Sequence, residues 1–321
     1  MNENIIINDY FKKLVINNNG SLNLNDDVFF DKSKKTVISV DTYIEGSHFI
    51  DFKKPELVIK KIIRSSISDL ICKGVLPRYY FIAGAGNRKS FSQSNLKKIL
   101  RSLRQEQKKY NISLGGGDTV FSKKLSFTIT TIGYSKKIIN RNNAKLDDDI
   151  YVTGNLGDSF IGLNILKKKI KVKNNLKRYF ENSFYHPSLH LSFSQKLRIF
   201  ANTTIDISDG LVTDLEKLMN KQKLSYRLFI DRVPISNQLK ELIFLKKLRK
   251  ELCVSNGDDY QILFTARPSK ARIIKNIAKS LDVKISKIGK ICSASTKPEI
   301  LDQKGMKIKL KTKGYIHKFW K

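Results

Sequence analysis

Apolar and polar positions along the chain alternate in short runs that repeatedly end in glycine and aspartate. Thr36 to Val40 is β-branched and apolar and stops at Asp41-Thr42, so a carboxylate closes the predicted strand. Tyr79 to Ala83 predicts a second strand running into Gly84-Ala85-Gly86, read as a tight turn. Asn111 to Leu114 leads into Gly115-Gly116-Gly117-Asp118-Thr119, again an apolar run ending in glycines and an acid, and Leu125 to Tyr134 alternates as a further strand. Between these, Pro55 to Gly74 carries helix start and stop signals, with apolar residues at Ile59, Ile62, Ile63 and Ile67. Asp69 falls on the same inward stripe, and an acid there needs a partner. Gln93 to Tyr110 predicts another helix. Residues 4 to 16 read as a short amphipathic helix, followed by an Asn/Gly-rich loop, Asn17 to Asn25, that Asp26-Asp27 closes.

The same theme continues in the second half. Lys145 to Asp149 is a turn whose Asp147-Asp148-Asp149 run reads as solvated, and Ile150 to Gly154 opens a second domain. After Gly157-Asp158-Ser159 a helix runs to about Lys168, then a basic connection, then a helix near Ser188 to Phe200. The apolar run Thr203 to Ile207 carries Asp206 and is followed by Ser208-Asp209-Gly210 and a helix from Leu211 to Met219. Asn256-Gly257-Asp258-Asp259-Tyr260 feeds the strand Gln261 to Thr265. Strand ends followed by helix starts are where α/β proteins place ligand sites.

Composition adds a contrast. The 321 residues hold 61 Lys+Arg against 29 Asp+Glu, a formal charge of +32, so acids are scarce and their gathering at strand ends is informative. The charge alone would suit a nucleic-acid partner. Its even spread, in a chain rich in Asn, Ile, Phe and Tyr, fits an A+T-biased coding sequence better. Cys72, Cys253 and Cys292 form no C-x-x-C pair, which gives no zinc knuckle or disulfide framework and fits a reducing cytosol. No run approaches the roughly 18 to 20 apolar residues of a membrane span and the N-terminus has no signal-peptide pattern, so a cytoplasmic protein is expected.

Asp27, Asp41, Asp69, Asp118, Asp206 and Asp209 all occupy predicted element ends. Any one alone is explained as a cap or turn residue. Together, carboxylates this close repel unless a cation or proton sits between them, and Mg2+ prefers oxygen ligands that leave room for phosphate oxygens. P-loop, zincin and hydrolase-elbow motifs are missing, so nucleotide chemistry on metal-bound acids is the reading that remains. By residue type alone His48 suits a structural role and a substrate contact equally.

The ordered segments Asn25-Asp26-Asp27, Ser39-Val40-Asp41-Thr42-Tyr43-Ile44-Glu45-Gly46-Ser47-His48-Phe49, Ser68-Asp69-Leu70, Gly116-Gly117-Asp118-Thr119, Val152-Thr153-Gly154 with Leu156-Gly157-Asp158-Ser159, Asp206-Ile207-Ser208-Asp209-Gly210-Leu211 and Gly257-Asp258-Asp259-Tyr260 resemble the thiamine-monophosphate kinase family. That family belongs to the superfamily of aminoimidazole ribonucleotide synthetase. The resemblance implies an α+β fold of two α/β domains. Residues 1–141 would form a mixed sheet that builds a dimer barrel, and residues 142–321 an α/β sandwich that completes the ATP and substrate site. It implies transfer of the ATP γ-phosphate to thiamine monophosphate with Mg2+, in a homodimer, without a general base. By position, Asp27, Ser39, Val40 (through its backbone), Asp41, Asp69, Asp118, Asp206 and Asp209 would hold metal. Gly117, Asp118, Arg141 and Ser208 would touch ATP, and His48, Asp258 and Phe319 or Trp320 the substrate.

Four departures from the family pattern stand out. Asn25 replaces the usual glycine, Ser66 the usual asparagine, Asp258 the usual glutamate (shorter by one methylene), and one extra residue separates His317 from Phe319. Enzymes of the same superfamily with other acceptors are the alternative. The absence of a cysteine before Cys72 speaks against selenophosphate synthetase, and the ending Phe319-Trp320-Lys321 against the hydrogenase-maturation dehydratase. A basic nucleic-acid-binding protein whose acids are only caps and turns is the remote reading.

Overall fold

A computed structural model describes residues 3–316, so Phe319 and Trp320 lie outside the described residues. The first half runs α1 (Glu3–Asp9), β1 (Phe29–Asp31), β2 (Thr36–Ile44), α2 (Pro55–Cys72), β3 (Pro77–Gly86), α3 (Gln93–Tyr110), β4 (Ser113–Phe121) and β5 (Ser126–Tyr134). The helix expected over residues 4 to 16 is broken into α1 and a 3-10 turn, Phe11–Val15, that buries no side chain. Short helices need tertiary cover to persist, and this segment has little.

The five strands form one mixed sheet in the order β1-β2-β5-β3-β4. All neighbours are antiparallel except β3 and β4, whose parallel pairing is bridged by α3. Two expectations fail here. Gly84-Ala85-Gly86 is not a turn but the end of β3, and the strand predicted to stop at Gly115 runs on to Phe121. Glycine is what allows the extension: a Cβ on Gly117 would lie 1.9 Å from the Ile82 carbonyl oxygen of β3.

The second half runs β6 (Asp149–Thr153), α4 (Asp158–Leu166), α5 (Asn174–Tyr185), α6 (Leu191–Ser194), β7 (Ala201–Asp206), α7 (Leu211–Leu218), β8 (Leu224–Phe229), α8 (Asn237–Lys246), α9 (Lys250–Val254), β9 (Ile262–Ala266), α10 (Ala271–Ser280), β10 (Ile285–Ser293) and β11 (Glu299–Leu301). Its strands form a six-stranded sheet, β11-β8-β10-β6-β9-β7, antiparallel except for β8 with β11. Two mixed sheets with helices make the α+β class expected.

Two other expectations need correcting. The basic connection contains α5, which buries Leu176, Phe180 and Phe184, whereas Ser188 to Phe200 yields only α6 and the 3-10 turn Leu197–Ile199. The Asp147-Asp148-Asp149 run is not a solvated turn: only Asp147 is exposed. Asp148 is 1% exposed and accepts bonds from Asn202 and Thr265, and Asp149 pairs with Lys287 at 2.6 Å.

Helix α2 positions the site. Val58, Ile59, Ile62, Ile63, Ile67 and Ile71 are all at most 1% exposed, because the helix is apolar on more than one face and lies between the two sheets. Burying six such side chains contributes on the order of 10 kcal/mol before entropy is counted. Polar residues of the same helix tie it to the second half. Arg64 reaches the Pro187 carbonyl at 3.3 Å and forms a two-pronged pair with Glu106 of α3, and the Ser194 hydroxyl donates to the Ile71 carbonyl at 2.6 Å.

Candidate active site

Strand alternation along β2 buries Ser39, exposes Val40 and delivers Asp41 to the strand's far half. The last turns of α2 pass behind β2, so the Ser39 hydroxyl donates to Asp69, the partner that the inward stripe required. Asp206 ends β7 from the other sheet and accepts from the Ser68 hydroxyl of α2 at 2.7 Å. Helix α2 thus carries the contacts that bring acids from both halves together. Oxygens of Asp27, Asp69 and Asp206 all lie within 4.8 Å of one another.

After β7 the chain turns through Ile207 to Gly210 into α7. Buried Asp214, one turn into that helix, accepts the backbone N–H groups of Asp209 at 2.9 Å and Gly210 at 3.0 Å, while Lys217 pairs with Asp209. The Asp258 loop is clamped to this turn by Asp258 N–H on the Ser208 carbonyl at 2.7 Å and Tyr260 N–H on the Ile207 carbonyl at 2.8 Å. Gly257 is required at that clamp, since a Cβ would meet the Ser208 carbonyl oxygen at 1.9 Å. Asp206 and Asp209 are not helix caps. The N-cap position of α7 is Gly210, with no side-chain cap.

The electrostatics are those of a nest of carboxylates crowded together away from water, only partly offset by Lys73, Arg141 and Lys217. Burial, then the charge of Asp206, raises the Asp41 carboxyl to about 7. Asp69 is pushed well above the usual range by burial and by Asp41 and Asp206, and Asp206 is raised by burial against the opposing pull of Ser68, Arg141 and Lys73. Burial also raises Asp214 to about 7. A divalent cation removes this penalty, and oxygen donors alone suit a hard ion such as Mg2+.

A cavity of about 580 Å³ opens over the nest. Among its lining residues are Val40, Asp41, Asp69, Asp206, Ser208, Asp209, His48 and Asp258, so most of the residues singled out in the sequence converge on one space. His48 accepts the Ile44 N–H at Nδ1 (3.0 Å), and Asp258 pairs with buried Lys61 at 2.7 Å. Asp27 reaches the nest from the loop before β1 and pairs with Arg141. Gly117 and Asp118 stand apart: the row Asp41–Ile129–Ile82–Gly117 crosses the sheet, which puts Gly117 three strands, roughly 14 Å, from Asp41 on the exposed edge strand β4.

Several residues of the site escaped the sequence reading, namely Asp26, Lys61, Lys73, Asp214 and Lys217. One of them had a signal: Lys217 stands three residues after Asp214, a helical spacing for an ion pair, and the two lie 3.7 Å apart.

The thiamine-monophosphate kinase of Buchnera aphidicola subsp. Acyrthosiphon pisum is 34% identical over 292 residues, covering 89% of this chain and 88% of that protein. The chain belongs to the thiamine-monophosphate kinase family. The kinase of Nitrosopumilus maritimus, at 28% identity over 317 residues, covers 99% of this chain and 98% of its own. Residues 24–135 match the AIR synthase related protein, N-terminal domain. Among solved structures, AaThiL complexed with AMPPCP and TMP superposes with a TM-score of 0.84 at 25% identity, covering 98% of this chain and 97% of that one. The hydrogenase-maturation HypE–HypF complex, at 14% identity and a TM-score of 0.73 over 96% of this chain and 99% of that one, shares the fold alone.

Proposed function

We propose that this thiamine-monophosphate kinase family member transfers the γ-phosphoryl group of ATP to thiamine monophosphate. The bond from the γ-phosphorus to the ADP oxygen breaks, an oxygen of the acceptor's phosphate forms the new one, and thiamine diphosphate and ADP leave. The observation that carries the reading is the convergence of Asp41, Asp69, Asp206 and Asp209 under a single cavity. A phosphate monoester is already largely ionised at neutral pH, so the protein's task is to position it and offset charge, and no general base is needed.

The donor set fits Mg2+: Asp27, Asp69 and Asp206 offer oxygens within 4.8 Å of one another, Ser39 is bonded to Asp69, and Val40, Asp41 and Asp209 line the cavity above; the Ser39 hydroxyl and Val40 carbonyl would add to the set. The ion would neutralise the phosphates' charge and align them. Ser208, Gly117, Asp118 and Arg141 would contact ATP. His48, whose Nδ1 acceptor role leaves the proton on Nε2, would donate to the acceptor, and Asp258 would face its cationic ring with Phe319 or Trp320.

A homodimer is part of the same reading. Every residue of β4 is exposed, its outer edge is unpaired among the described residues, and Leu114, Val120 and Phe121 are 46%, 51% and 77% exposed. Such an edge invites pairing with a second copy, which would build the dimer barrel from residues 1–141 and bring another chain's Asp118 to a site that residues 142–321 complete. A cytoplasmic location is supported by three free cysteines, and no helix of the described residues is long and apolar enough to cross a membrane.

The test is chromatographic analysis of products after incubation with ATP, Mg2+ and thiamine monophosphate, with thiamine as control acceptor. Thiamine diphosphate from the monophosphate alone is the expected outcome. No product, with ATP still bound, would move the acceptor to another branch of the superfamily.

A further inference from the structure

The acids of the nest do not all await an ion. Lys73 caps the C-terminus of α2, is 0% exposed, and sends its ammonium back among the acids. Its three donors are all used: Asp26 Oδ1 at 2.7 Å, Asp27 Oδ2 at 2.7 Å and the Thr204 carbonyl of β7 at 2.8 Å. Asp26 Oδ1 also accepts the Asp27 N–H at 2.8 Å, and its other oxygen accepts the Arg141 backbone N–H at 2.8 Å, so Lys73 and two backbone donors already hold this carboxylate. Asp27 is held by Lys73 on one oxygen and by Arg141 on both.

We infer that Lys73 is a resident cation of the phosphoryl-transfer site, standing where a further divalent ion would otherwise sit between Asp26 and Asp27 and leaving Asp27 to share bound metal only on the side it turns to Asp69 and Asp206. The inference rests on the proposed kinase reading and deepens it. The ammonium cannot be exchanged like a bound ion. It is covalently attached and fully enclosed, and it also ties the end of α2 to β7, which carries Asp206. Lys73 therefore fixes the Asp26-Asp27 loop against both halves whether or not nucleotide is present. It touches neither substrate nor the reacting atoms in this account and is a positioning residue.

The experiment counts Mn2+ on the full chain by the loss of its free-ion paramagnetic resonance signal, without nucleotide or acceptor, so a lack of kinase activity leaves the count readable. Lys73→Met, which keeps most of the length and removes the charge, is expected to bind about one Mn2+ per chain more than the natural protein. Mg2+ is expected to raise its Tm by about 5 °C more than it raises that of the natural protein. An equal count and an equal Mg2+ increment would reduce Lys73 to a structural strut and overturn the inference. Should Lys73→Met fail to fold, Asp26→Asn in the otherwise natural chain decides. An unchanged Mn2+ count is expected because Lys73 occupies that carboxylate, and a lost Mn2+ site would overturn the proposal.

Discussion

Asp214 holds the turn that presents Ser208 and Asp209, and its removal should be felt in both stability and rate. Its Oδ2 accepts two backbone N–H groups, from Asp209 at 2.9 Å and Gly210 at 3.0 Å, and the side chain is 0% exposed. Asp214→Ala strands both donors away from water, at about 1–3 kcal/mol each, or about 2–6 kcal/mol together. With an unfolding entropy of about 2.1 cal/mol/K per residue, the 321-residue chain loses about 3–9 °C of Tm, read by calorimetry. The freed turn also lets Asp209 drift, and a misplacement of about 1 Å costs on the order of 10²-fold in kcat. Asp214→Asn retains an oxygen that can accept both bonds and should lose less on both counts. An Asp214→Ala protein with Tm within about 1 °C of the natural chain and full kcat would refute the role given to this carboxylate.

Other consequences follow from the same geometry. Arg64→Ala leaves Glu106 buried and unpaired and should cost about 3–5 kcal/mol in denaturant unfolding; a change below about 1 kcal/mol would contradict the pairing. Asp41 and Asp214 are both raised to about 7, so the folded protein binds more protons than the unfolded chain between the ordinary carboxylate range and that value. Without divalent ions, stability is therefore fully present at low pH and falls as pH rises towards 7, and Mg2+ should flatten that decline; a metal-free protein that gains stability from pH 5 to pH 7 would show the sign to be wrong. Phe121→Lys places charge on the exposed face of β4 and should shift the sedimentation of the protein towards monomer, whereas an unaltered dimer would place the interface elsewhere.

Much of this site could be read along the chain because its acids follow apolar runs. Asp41 and Asp206 each belong to a β-strand that a β-branched apolar run marks, and Asp69 shares a helical stripe with Ile62. What escaped depended on contacts distant in sequence. Helix α5 hides its Leu176, Phe180 and Phe184 stripe among Lys and Asn, and reads as a connection until packed. Leu191 to Phe200 has helical spacing at Phe193, Leu197 and Phe200, yet Ser194 and Arg198 bond to the Ile71 and Gly74 carbonyls and drape the segment over the end of α2. The glycines of β4 looked like a stop because local propensity says so; close approach to Ile82 overrides it. The clearest omission is Lys73. In a chain with 61 basic residues one more lysine carries no signal, and only its burial between two carboxylates sets it apart.

The central claim is that the acids gathered under this cavity serve phosphoryl transfer to thiamine monophosphate. The most direct measurement compares thiamine diphosphate formation by the natural chain and by Asp209→Asn at fixed Mg2+ and ATP, with circular dichroism confirming that both are folded. Removing the charge while keeping the shape should reduce turnover by at least about 10²-fold, a loss of roughly 3 kcal/mol of transition-state stabilisation. Natural turnover in the folded variant would contradict the account.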